Sequence, residues 1–398
     1  MTTRSLLCGL VAGAAVLALA GCSAADRAVM FAPECPEGPS ARPAQRELPP
    51  GTAWAFGAPY DAPAGDFGEG PVPGLTGVVS VADSGHTVVA VRSDGTVWSY
   101  GTNVDGSLGH GSRERVYEAE PRQVTGIGPA HAVYGGGATF YVVLRDGSVM
   151  AWGSDRFLVG GGKREGHDGV TVPERVQRAE DVVSMGPNLP NAFALRSDGR
   201  VLGWGINLTD VLGERDGTRI GTVPGVSGVV DVASAGGAVV AVKADGTVCA
   251  WGNNAHGLLA VEPTGGQSAR PVHVRGLENV VQVAGGSDVA YALDRHGAVW
   301  AWGRGVSGAL GDGDTSDHVS AKPVRVTGLP GIRRISASRF TGYAIDTDGG
   351  LWAWGSGTAA LAGHPGTSKG AARPVRIPLP APALDVSGHH AIVEAHTR

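Results

Sequence analysis

The amino-acid sequence predicts an all-β chain: a seven-bladed β-propeller of four-stranded blades, the last blade closed jointly by N- and C-terminal strands. Three observations carry this expectation. An aromatic-Gly pair recurs with a period of about 50 residues, a hairpin turn stands a fixed distance before most of the pairs, and the chain stops partway through a repeat.

The aromatic members are Phe56, Tyr100, Trp152, Trp204, Trp251, Trp302 and Trp354, spaced by 44, 52, 52, 47, 51 and 52 residues. Six residues before each of the last six comes a turn: Asp94-Gly95, Asp146-Gly147, Asp198-Gly199, Asp245-Gly246, His296-Gly297 and Asp348-Gly349. Each turn joins two alternating apolar runs, as in HTVVAVRSDGTVWSY at 86–100, which is the pattern of a β-hairpin. Pro-led segments such as PVHV at 271 and PVRV at 323 supply a further strand. Apolar runs such as VVSVA at 78, VVDVA at 229 and VVQVA at 280 supply the fourth. Four short strands without helical periodicity describe a propeller blade.

The two ends complete one another. DVSGHHAIVEAHTR at 385–398 aligns with the repeat at 81–95, so that His389 falls on His86 and the chain ends where an Asp-Gly turn is due. GTAWAFG at 51–57 and PVPGL at 71–75 supply the missing strands from the other end, leaving no free sheet edge.

Composition agrees: 42% hydrophobic and 17% charged residues, with 65 Gly and 25 Pro, suit tight turns better than long helices. A net charge of −5 gives no electrostatic reason to bind nucleic acid, and none is expected as a partner. Residues 1–21 read as a signal peptide, because Arg4 precedes an apolar run too short to span a bilayer. The run ends in LAGC at 19–22, which resembles the bacterial lipoprotein cleavage box. Cys22 is therefore the expected lipidation site, and the protein is expected to be extracytoplasmic and lipid-anchored to the bacterial cell membrane. Residues 22–50, polar and rich in Pro, read as an extended spacer, and 51–398 as a single propeller domain. Cys35 and Cys249 remain. A disulfide is open to them in an oxidising compartment, but Cys249 takes a position held elsewhere by Trp98, Met150, Leu202, Trp300 and Trp352, and reads better as a small buried hydrophobe.

On these motifs the chain resembles the regulator of chromosome condensation repeat family, whose members are seven-bladed propellers. The family pattern after the aromatic-Gly pair is kept as Asn103, Gly106, Leu108, Gly109 and Gly111, and again as Gly308, Leu310, Gly311 and Gly313. DRFLVGG at 155–161 and GTAALAG at 357–363 depart from it. The resemblance implies a seven-bladed frame from Gly51 onwards. The eukaryotic namesake is an exchange factor for a small GTPase and binds chromatin, whereas a lipoprotein signal points to a compartment where neither is expected. Secreted bacterial propellers of this repeat type, including inhibitors of β-lactamases, resemble the chain in organisation.

Function is therefore expected to be binding or scaffolding, with a protein or cell-envelope partner, no cofactor and no catalytic residue. The alternative is an enzyme, a lyase or hydrolase, with its site at the propeller mouth; an exchange-factor-like activity rests on family analogy alone. None of the 12 His shows metal-ligand spacing. Asp312, Asp314 and Asp317 in DGDTSD have the carboxylate density of a calcium loop, but the EF-hand order is missing. The loops after the first and third strands of each blade share one face. Tyr134, Asn188, Asp288, Arg339, Phe340 and His389 take comparable places there and form the expected partner-binding set, with Tyr134 and Phe340 as aromatic anchors. Because both termini fall at a missing Asp-Gly turn, the tether is expected on the opposite face, with the loop face pointing away from the membrane.

Overall fold

The Asp-Gly turns at Asp94, Asp146, Asp198 and Asp245 are each fixed by their own carboxylate, whereas at Asp348-Gly349 the carboxylate of Asp346 takes that part. Asp94 Oδ1 accepts from the Thr96 backbone N–H at 2.9 Å and from its hydroxyl at 2.6 Å, and Asp146 accepts from Ser148 in the same manner. The apolar runs on either side then pair as antiparallel strands, Thr87–Arg92 with Val97–Thr102 and Thr139–Leu144 with Val149–Gly153.

A computed structural model of the protein describes residues 23–40, 42–56, 70–154, 169–187, 191–207, 211–212, 220–262, 264–356, 370–388 and 390–394. Its strands form six sheets: five four-stranded blades and one seven-stranded sheet. The expectation of seven separate four-stranded blades is thereby corrected. The reason lies in Gly70–Asp83, a single 14-residue strand. Its first part pairs with Gly51–Ala55 and its last part with Thr87–Arg92, so hydrogen bonding runs unbroken from the terminal strands into the first repeat. Gly74 and Gly77, at φ of 74° and 69°, let this strand bend where a side-chain-bearing residue would end it. Across the join, Gly51–Ala55 pairs with His390–Glu394 over the register Gly51↔Glu394 to Ala55↔His390. The buried His390 Nδ1 meets the buried Asp83 carboxylate at 2.9 Å, tying the last strand to the first repeat.

The recurring aromatic-Gly pair has a steric and a polar cause. A Cβ on Gly153 would lie 2.1 Å from the Ala138 carbonyl oxygen, and one on Gly303 2.4 Å from that of Asp288, so only glycine fits. The aromatic beside it reaches into the preceding repeat. Trp152 Nε1 donates to Ser107 O at 2.8 Å, Trp251 to Val211 O at 2.8 Å, Trp302 to Leu258 O at 2.9 Å and Trp354 to Ala309 O at 3.1 Å. All four indoles are fully buried, so in these four repeats the core also pins the long loop of the neighbour.

Residues 23–50 do not form a free spacer. Ser23 caps a short helix, Ala24–Met30, in a capping box with Asp26, and Val29 is buried against the propeller. Ala25 lies against Gly265 and Gly266, in the long loop leading to the strand Gln267–His273. The chain then runs along that strand: Cys35 N donates to Pro271 O and His273 N to Pro33 O, each at 2.9 Å, while Glu34 pairs with Arg270. Cys35 and Cys249 form a disulfide, Cα–Cα 5.6 Å, which corrects the reading of Cys249 as an unpaired small hydrophobe. Next, Lys243 Nζ donates to Pro36 O at the Asp245 turn, and Gln45 Nε2 approaches Leu144 O and Val182 O at 3.5 Å. The segment thus descends from the loop face to the turn face before entering the first strand. Its first residues lie beside the loops, so the expectation that both termini leave from the turn face is also corrected. Pairing with an exposed edge and a covalent staple outweigh the Pro-rich composition.

Candidate functional site

The innermost strand of every repeat lines a central channel. These strands are Gly70–Asp83, Ala130–Gly136, Val182–Met185, Val229–Ala235, Val280–Gly285, Ile332–Ser338 and Ala383–Ser387, and they enclose a cavity of 520 Å³. In each the register against the next strand shifts by one residue between the first and third aligned positions, a β-bulge that re-aims the side chains beyond it. The third position carries Ser80, Ala132, Ser184, Asp231, Gln282, Arg334 and Asp385, polar in all but one case. Several of these side chains bond to the neighbouring inner strand. Ser80 Oγ accepts from Val133 N at 3.1 Å, Asp231 Oδ2 from Val283 N at 2.9 Å, and Gln282 Oε1 from Ile335 N at 3.0 Å. Arg334 Nη2 meets Asp385 Oδ2 at 2.5 Å.

The channel therefore holds charge away from bulk water. Burial pushes the Asp231 carboxyl up to about 6, although the Val283 N–H favours the anion. Burial also raises the Tyr134 phenol, and the charges of Asp231 and Asp385 raise it further. Arg334 is pulled down to about 10 by burial against the opposing pull of Asp385, and so stays charged at neutral pH. Ala44, Arg46 and Leu48 of the N-terminal segment also line the cavity. Their neighbour Gln45 bonds at the turn-face ends of the strands, so the segment lies at that end of the channel.

The expected binding set is dispersed. Tyr134 is part of the channel wall rather than a rim anchor: it packs in the core cluster that includes Phe140. Asp288 is half-buried and faces His256 Nε2 at 3.8 Å. Arg339 is exposed at φ 51°, while Phe340 packs on the cluster containing Tyr291 and Trp354. Asn188, His389 and Cys22 lie outside the described residues. The carboxylates of the calcium candidate are taken up by protein groups, Asp312 and Asp314 both facing His318. Asp312 meets His318 Nε2 at 3.0 Å, Asp314 accepts from Ser316 N at 2.8 Å, and Asp317 holds Arg304 through both oxygens at 2.8 and 2.5 Å. Among the described residues no group of three His, Cys, Asp or Glu could hold a metal ion. His256, Asp288, Arg304, Asp317 and Arg339 thus mark a charged arc on the loop face. Asp231, Gln282, Arg334 and Asp385 were missed as site residues. The signal for them is the polar third residue that interrupts the otherwise apolar runs VVDVA and VVQVA.

The family model for the RCC1-like domain matches residues 56–393. HERC2 of Mus musculus, an E3 ubiquitin-protein ligase, is 30% identical over 296 residues, covering 70% of this chain but 6% of HERC2. The chain therefore spans only a small part of that relative. The regulator of chromosome condensation of Mus musculus is 27% identical over 313 residues, 72% of this chain and 74% of that protein. Among solved structures, Prp20p of Saccharomyces cerevisiae superposes with a TM-score of 0.75 at 19% identity over 89% of this chain and 94% of that one. Human WBSCR16 does so with a TM-score of 0.70 at 24% identity over 87% and 100%. At such identities these likenesses are of fold.

Proposed function

The chain belongs to the RCC1-like domain family, a β-propeller fold suited to binding and scaffolding, and from that premise we propose that it is an extracytoplasmic, membrane-anchored propeller whose loop face holds a protein partner of the cell envelope. The observation that carries this reading is the charged arc on the loop face, Asp288, Arg304, Asp317 and Arg339, set on a frame whose loops are pinned by buried indoles. Rigid loops bearing charge bind at low entropic cost and select partners by electrostatic fit. Yeast Prp20 is bound by Kap60 and has binding properties towards Gsp1p and histones, and an activity transferred from it to this chain rests on fold alone.

The LAGC box supports lipidation of Cys22, immediately ahead of the capped helix. With that helix docked beside the loops, the flank bearing it lies against the bilayer, together with Phe31, which is 70% exposed. Two experiments test the proposal. Cys22→Ser should abolish incorporation of radiolabelled palmitate; persistent label refutes the anchor. A photo-crosslinking residue at Arg339 should trap an envelope protein in intact cells, while one at Asp198 on the turn face should not. Equal trapping at both positions, or trapping at 198 alone, refutes the loop-face assignment.

A further inference from the structure

We propose that the central channel is a binding site for a small zwitterion of the amino-acid or short-peptide class. Its ammonium group meets Asp231, and its carboxylate meets Arg334.

Space and access come first. A cavity of 520 Å³ lies within the range of small-molecule sites, roughly 300–1,000 Å³. At the position of Tyr134 the other inner strands carry Ala82, Gly186, Ala233, Ala284, Ser336 and Ser387, so one ring stands in a wall of small side chains. The N-terminal segment lines the turn-face end, and we take the opposite end as the entrance.

The chemistry of the wall is incomplete at two points of opposite sign. Asp231 is bonded to a backbone N–H; the charges of Arg46 and Arg334 reach it through space, but among the described residues no cation forms an ion pair with it. Arg334 is 7% exposed. Its Nη2 is taken by Asp385, whereas Nη1 is buried without a hydrogen-bond partner among the described residues. An unpaired carboxylate and an unsatisfied guanidinium N–H are each costly in an enclosed site and are both relieved by one ligand carrying both charges. Tyr134 lies between Asp231 and Asp385, on strands two places away on either side, and feels both carboxylates as well as Arg334 and Arg46. An ammonium seated at Asp231 shares the channel with this ring, and Arg46, whose charge acts on Asp231, Tyr134 and Arg334 alike, adds a second cation to the wall. Neither a plain cation nor a plain anion answers both deficits.

The test uses full-length protein in detergent and isothermal titration with L-alanyl-L-alanine, its N-acetyl derivative and its C-terminal amide. The free dipeptide should bind saturably at one site per chain, and each blocked form should bind at least about tenfold more weakly. Asp231→Asn, which keeps an acceptor for the Val283 N–H, should weaken the dipeptide by about tenfold or more, and so should the neutralised pair Arg334→Gln with Asp385→Asn. Asp198→Asn, at a turn on the other face, should change nothing. Circular dichroism melts check that every variant is folded. No saturable binding to folded wild type overturns the proposal. So does equal binding of either blocked form, or unchanged affinity in both folded channel variants.

Discussion

Replacing Cys35 with Ser cuts the covalent link between the N-terminal segment and the propeller while leaving the buried Cys249 side chain in its place. The bridged residues are 214 apart in sequence, so in the chain-entropy account the cross-link removes about 5 kcal/mol of freedom from the unfolded chain, as an upper bound. With an unfolding entropy of about 2.1 cal/mol/K per residue, that corresponds to a fall of about 6 °C in Tm for a chain of this length. Part of the segment is held by other contacts: Val29 in the core, two backbone bonds to the strand Gln267–His273 and the Glu34–Arg270 pair. Its local opening should therefore be faster in the variant without being complete. Scanning calorimetry of oxidised wild type and Cys35→Ser measures the global term, and hydrogen exchange at residues 29–36 measures the local one. An unchanged Tm together with unchanged protection of those amides would refute the staple as a stabilising feature.

Three further outcomes are expected from the packing. Asp231 has a folded-state pKa raised to about 6, so the stability linked to it is fully present below its unfolded value near 4 and is lost as pH rises through 6. Asp231→Asn should therefore gain about 3 kcal/mol at pH 7 and almost nothing at pH 4 in denaturant titrations, even as it loses ligand. Trp302→Phe keeps most of the ring but leaves Leu258 O without its donor, and should cost about 1–3 kcal/mol; Trp300→Phe, whose N–H meets the half-exposed Asp294, should cost less in the same titration. Asp83→Ala strips the hydrogen-bond partner from a buried His at the join of the chain ends and should cost about 1–3 kcal/mol, read from chemical denaturation; a variant within error of wild type would show the pair to be dispensable.

Much of the frame could be read from local sequence because its causes are local. An Asp that accepts from residue i+2 marks a turn in any context, and a glycine pressed against a carbonyl, as Gly153 is against Ala138, cannot be replaced without a clash. What escaped depends on contacts between distant segments. Whether Gly70–Asp83 ends one sheet or joins two is decided by the pairing on both of its sides, and its glycines look the same either way. The Pro-rich stretch of 33–50 has a spacer's composition, yet its first residues, Pro33 to Cys35, lie against an edge strand more than 200 residues away, and Cys35 finds Cys249 only through that placement. Tyr134 has the character of a surface anchor in sequence but points to the axis because the bulge ahead of it turns the strand. The channel residues were overlooked for the opposite reason: one polar side chain in an apolar pentapeptide reads as noise until the strands that carry it are set side by side.

The disulfide also decides how the molecule bears a mechanical load. A pull applied on the N-terminal side of Cys35 passes through the sulfur bridge into Val248–Asn253, an interior strand hydrogen-bonded on both sides along most of its length. Residues 36–50 and the pairing of Gly51–Ala55 with His390–Glu394 lie off this path and stay slack. Without the bridge the same force would peel the segment from its edge strand and arrive at the join of the chain ends, where five-residue strands could be unzipped one hydrogen bond at a time. Tension from the N-terminal side is thus passed to an interior strand of the ring, and the closure of the ring is shielded from it.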